Sequence, residues 1–161
     1  MSVFKKVFDA HAQAKSLAEH KAAAEELART EAEAIFAQEF AARVEEFAKP
    51  IFEKFAADAR DHGFPAITEH QRDGNANPMY GVRLNPKVGA QLDLNPSDEI
   101  AYVLKGVVSE QRVEHGAYFD QRPGRKGTTK SAFGIGSIKE AELERRLGEF
   151  LSSSALKARA A

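Results

Sequence analysis

The sequence predicts an α+β fold: a long N-terminal helical arm, a four- to five-stranded antiparallel sheet and a C-terminal amphipathic helix. Three observations carry that expectation. From Ser2 to His62 the chain has one Pro and no Gly and is dense in Ala, Glu, Lys and Arg, residues that lose least on entering a helix. After Gly63-Phe64-Pro65 the apolar spacing falls to two, the period of half-buried strands. Near the other end Leu143, Leu147, Phe150 and Leu151 return to helical spacing. The organisation expected is an arm over residues 1–62 and a sheet with its closing helix over 63–161.

The arm divides into three by its large apolar residues. Val3, Phe4, Val7 and Phe8 share one helical face beside Lys5 and Lys6. Between residues 9 and 34 only Leu17 and Leu27 are large and apolar, so this Ala-rich stretch reads as a stalk. Phe36, Phe40, Val44, Phe47, Ile51 and Phe55 then form a stripe in which Phe36/Phe47, Phe40/Ile51 and Val44/Phe55 each lie eleven apart. An eleven-residue period stays on one face of a nearly straight helix. Pro50 falls inside the stripe and predicts a kink or restart near Ala48 or Lys49, because it lacks an N–H and crowds the preceding turn.

Alternation marks strands at Tyr80, Val82 and Leu84 and again at Ala90, Leu92 and Leu94, with turn chemistry at Asn75–Pro78, Asn85–Gly89 and Asn95–Asp98. Ile100 to Gln121 is β-branched enough for two more strands, broken near Gly106 or Gly116. Residues 122–130 read as a loop. Ser137-Ile138-Lys139-Glu140 has the spacing of a capping box ahead of the last helix, and the tail beyond Ser152 is expected to fray.

Composition limits function. The 161 residues carry 23 basic and 24 acidic side chains, net −1, which argues against a surface built wholly for nucleic acid or anionic lipid. There is no Cys, so thiolate metal sites, disulfides and a Cys nucleophile are excluded. No stretch approaches the roughly 20 apolar residues of a membrane span, and the first residues lack the apolar run of a secretory signal. The chain reads as cytoplasmic, without a cofactor.

Several constellations invite chemistry. Arg122, Arg125, Lys126 and Lys130 surround two glycines and could hold a phosphate backbone or an acidic protein by charge; a solvated hairpin loop is the plainer alternative. Lys130-Ser131 falls short of a P-loop because Thr129 stands where Gly is needed. Gly134-Ile135-Gly136 suits an anion at a helix start, or simply a turn. Of the histidines His11, His20, His62, His70 and His115, the last four directly follow a carboxylate. His70 and His115 could share a metal only if they met across the sheet, and neighbouring Glu69 would point to the other face. Thr68 near His70, or Ser109 near Glu114 and His115, are the sequence-adjacent nucleophile candidates, without a glycine-bounded elbow.

These features point to a non-enzymatic oligomerising or adaptor protein. The helical arm self-associates as a coiled coil through the 36–55 stripe or folds over the sheet, and the Val3–Phe8 patch or the sheet face engages a protein partner. A homo-oligomer is expected, because six bulky residues at about 1.5–3 kcal/mol each are costly to leave in water. The alternative is a nucleic-acid-associated protein using loop 122–130 on a dimer.

Overall fold

The computed structural model describes residues 2–94, 98–119 and 128–152. Helix α1 spans Val3–Arg43, a π-helical turn follows over Val44–Ala48, and α2 spans Lys49–Asp61. The π turn answers the expectation at Pro50. A Pro two residues into α2 cannot donate to Glu46, and its ring would press on that carbonyl. Widening the turn, so that Lys49 N–H reaches Val44 O rather than the usual fourth residue back, accommodates the ring while keeping the chain helical. Gly63, at φ +87°, ends the run, with the Gly63 N–H on Arg60 O at 2.9 Å and the Phe64 N–H on Ala59 O at 3.0 Å.

Five antiparallel strands follow in the order β1-β2-β3-β4-β5: Ala66–Arg72, Pro78–Leu84, Ile100–Val107, Arg112–Tyr118 and Thr128–Phe133. A 3₁₀ turn at Ile135–Ser137 leads to α3, Glu140–Phe150. The α+β class, long helix and short closing helix are as the sequence predicts, and the sheet has five strands.

The compact units divide between Ile35 and Phe36, which groups the 36–55 stripe with the sheet and separates it from the Ala-rich stalk. In the second unit Phe36, Phe40, Val44 and Ile51 are buried with Phe52 and Ala56, together with Tyr80, Val82, Leu84, Ile100 and Leu104 of the strands. Phe47 and Phe55 are half-buried against the same core. Phe52 stacks on Tyr80 at 5.3 Å and meets Tyr102 edge-on at 6.2 Å. From α3, Phe150 reaches Phe55, Tyr102 and Phe119. Strand alternation puts Tyr80, Tyr102 and His115 toward this core, and Arg83, Lys105, Glu114 and Lys130 on the opposite face.

Four local expectations need correction. Ala90, Leu92 and Leu94 form no strand: the segment turns, Asp93 sits at φ 69° and Leu94 is 66 % exposed. Its backbone is held by side chains instead, the Asp93 N–H donating to Glu99 Oε2 at 2.8 Å. Two strands lie outside those the alternation marks: β1, immediately after the helices, and β5, whose residues Thr128–Lys130 pair with β4 where the sequence reads as a loop. The break between β3 and β4 lies at neither glycine but at Val108–Gln111, where Gln111 takes the left-handed conformation. Gly106 and Gly116 lie inside strands, under the rings of Phe40 and Tyr118 respectively. Finally, α3 starts from Lys139 without a side-chain cap, because Ser137 has turned to His115. The tail beyond Ser152 lies outside the described residues.

Candidate functional site

Val3, Phe4, Val7 and Phe8 are 75 %, 76 %, 62 % and 71 % exposed. They occupy one face of α1, as positions three and four apart must, and form its most concentrated apolar surface. The stalk residues Leu17 and Leu27 are exposed singly. The 36–55 stripe is different. Phe36, Phe40, Val44 and Ile51 are spent within the chain's own core, and Phe47 lies under the Arg43 guanidinium at 5.8 Å.

Of the basic cluster, Arg122, Arg125 and Lys126 lie outside the described residues. Lys130, in β5, stands 3.7 Å from Glu114 Oε1 and 5.8 Å from the Tyr118 ring centre. Lys105 approaches the same carboxylate at 3.8 Å. Lys130 therefore already has an anionic and an aromatic neighbour on this face.

The histidines do not converge. His11 and His20 are exposed on α1. His62 closes α2, Nδ1 lying 2.8 Å from Asp58 O. His70 packs against Tyr80 at 4.6 Å between ring centres. It shares a cross-strand row with His115 through Tyr80 and Leu104, which sets the two roughly 14 Å apart at about 4.8 Å per strand. One ion cannot bridge that span. Among the described residues no three His, Asp or Glu side chains gather as a metal group would. Thr68 lies near the Tyr80 hydroxyl without a hydrogen bond to it, and Ser109 is exposed in the turn after β3; neither meets an imidazole nitrogen.

The polar group that sequence adjacency missed is Ser137. His115 is 3 % exposed; its Nδ1 lies 2.8 Å from the Tyr102 hydroxyl and its Nε2 lies 2.9 Å from Ser137 Oγ. The legible signal was the period of two: β4 alternation places His115 beside Val113 on the core face, and a buried imidazole needs partners for both nitrogens. Burial holds His115 down at about 4, with the Arg146 cation adding to the effect and Glu142 opposing it. Burial likewise pushes Tyr102 up to about 12, against the pull of Arg146 beside its oxygen.

A neutral imidazole has one N–H, so two bonding patterns exist. In one, Tyr102 donates to Nδ1 and Nε2–H donates to Ser137 Oγ, giving every buried hydrogen an acceptor. In the other, Ser137 donates to Nε2 and Nδ1–H donates to Tyr102, whose own hydrogen then needs a further acceptor in the interior. The first pattern avoids that cost. It makes the trio a clamp joining β3, β4 and the 3₁₀ turn, with Ser137 receiving a proton bond rather than losing its proton to a base.

Comparison with protein-family models, with curated proteins and with solved structures finds no match. No helix among the described residues is long and apolar enough to cross a membrane.

Proposed function

We propose that the chain is a non-enzymatic oligomerising or adaptor protein whose N-terminal helix supplies the contact. The observation that carries this reading is the exposure of Val3, Phe4, Val7 and Phe8 together on one helical face. Four large apolar side chains so placed lose roughly 1.5–3 kcal/mol each while they remain in water, and a contiguous patch of this kind fits a protein contact. The burial of the 36–55 stripe supports the same emphasis, since it leaves the patch, rather than the stripe, to engage another chain.

Light scattering of the full chain over a wide concentration range, beside Val3→Ser/Val7→Ser, tests the reading. A wild-type chain larger than one subunit, reduced toward the monomer by the double substitution, supports it. A wild-type chain monomeric throughout overturns it.

A further inference from the structure

We infer that residues 3–35 pair with the same segment of a second copy as an antiparallel two-helix coiled coil. The inference rests on the oligomerising reading and adds the partner, its orientation and the seam.

Val3, Ala10, Leu17, Ala24 and Glu31 recur every seven residues along α1. Four residues after each come Val7, Ala14, Lys21, Ala28 and Ile35. The two series alternate at spacings of four and three, the a/d pattern of a coiled-coil seam. All ten residues are exposed, with Val3 at 75 %, Leu17 at 69 % and Ile35 at 57 %. On a straight helix a seven-residue repeat drifts by about 20° per heptad, so the seam stays in contact only along a helix that supercoils with it. A globular surface does not follow that path; another helix with the same repeat does.

Charge selects a second copy in the reverse direction. From Ser2 to Ser16 the helix carries Lys5, Lys6 and Lys15 against Asp9. From Leu17 to Ile35 it carries five glutamates against Lys21 and Arg29. Parallel pairing lays basic half on basic half and acidic on acidic. Antiparallel pairing opposes the two signs, which lowers the energy and fixes orientation.

The seam also closes on itself in that direction. Centred near residue 19, Val3 meets Ile35 of the second copy, Ala10 meets Ala28 and Ala14 meets Ala24, each an a residue against a d residue. Alanine layers permit close approach of the two backbones. Leu17 meets Lys21, whose methylene stem can lie along it while the ammonium stays wet. Val7 meets Glu31 one layer from the end of the pair, where the carboxylate can reach water at a cost in stability.

The chain has no native Cys, so engineered thiols report without background. Ala14→Cys and Ala24→Cys chains, one carrying an affinity tag, are mixed and oxidised in full-length form. A predominance of 14–24 disulfides between tagged and untagged chains is expected. Predominant 14–14 and 24–24 products show parallel pairing and overturn the inference while leaving the oligomerising reading intact. Ala14→Glu/Ala24→Glu, remote from the Val3–Phe8 patch, is expected to weaken dimerisation more than about tenfold, since it forces charge into the seam, with helicity by circular dichroism unchanged. A dimer indifferent to that change also overturns the inference alone. A wild-type monomer overturns both.

Discussion

Nδ1 of His115 lies 2.8 Å from the Tyr102 hydroxyl, with both residues within 5 % of full burial. An imidazole held neutral inside the fold links stability to pH. The unfolded chain takes up a proton as pH falls below the ordinary imidazole value of about 6.5, whereas the folded chain resists until about 4. Between those values the unfolded state binds more protons, so stability falls as pH falls, by an amount on the order of 3 kcal/mol across the window. Urea midpoints measured at pH 7 and near pH 4.5 should separate for the wild type. For His115→Gln, which has no proton to gain, the separation should shrink. Equal separations in the two proteins contradict the clamp as described.

Phe40 covers Gly106 so closely that a Cβ on residue 106 would stand 3.0 Å from two ring carbons. Gly106→Ala should therefore destabilise by about 1–3 kcal/mol, the usual cost of overpacking a filled core. Combining it with Phe40→Leu should cost less than the two single effects added together, because the ring that resists the methyl is gone. Additive losses in denaturant titrations would show that the 106 backbone, and not the Phe40 ring, sets the tolerance.

What was legible in the chain follows from which contacts are local. The helical arm, the 36–55 stripe and the irregularity before Pro50 rest on spacings within a turn or two, and the structure places all three where the residues indicate. Alternation over Tyr80–Leu84 likewise identified a core strand. The same alternation misleads at Ala90–Leu94 because the groups that hold this segment are side chains outside it, Arg83 and Glu99, which the spacing of its own apolar residues does not reveal. The local spacing of Ser137 suits a cap, whereas its bond to His115 spans 22 residues and depends on the sheet register. Gly106 and Gly116 looked like breaks, yet each makes room for a ring that only the tertiary fold brings over it. For function, the Val3–Phe8 patch was visible as a patch, but the chain alone left its exposure and that of the stripe undecided.

The β1–β2 turn offers a stabilising change. Asp73 Oδ1 accepts from the N–H groups of Asn75 and Asn77, each at 2.9 Å, and its Oδ2 accepts from Asn77 Nδ2 at 3.1 Å. These bonds, with the Asn77 backbone first among them, hold its carboxyl down at about 2. They also force Ala76 to φ 62°, a left-handed conformation that costs a residue with a Cβ about 1–2 kcal/mol. Ala76→Gly removes that strain but gives the unfolded chain more freedom to lose. The net expectation is a gain of a few tenths to about 1 kcal/mol. A loss of stability on thermal melting would mean the turn tolerates alanine without strain.

Arg83 and Glu99 form the most buried ion pair described, their side chains 14 % and 2 % exposed. Arg83 also holds Glu69 at 3.1 Å and Asp93 at 2.8 Å, and these carboxylates outweigh the effect of burial and keep its guanidinium charged. Removing one partner of such a pair strands the other, so Arg83→Met should cost about 3–5 kcal/mol by leaving Glu99 with little beyond the Asp93 N–H. Replacing both charges is a different matter, because a packed apolar pair no longer has to be stripped of water. Arg83→Met/Glu99→Leu should recover most of the loss, and proteolysis within residues 85–94 should rise in the single variant more than in the double. A single variant as stable as the wild type would show that Glu99 is solvated on the folded surface, and a double variant as weak as the single would assign the cost to packing instead of charge.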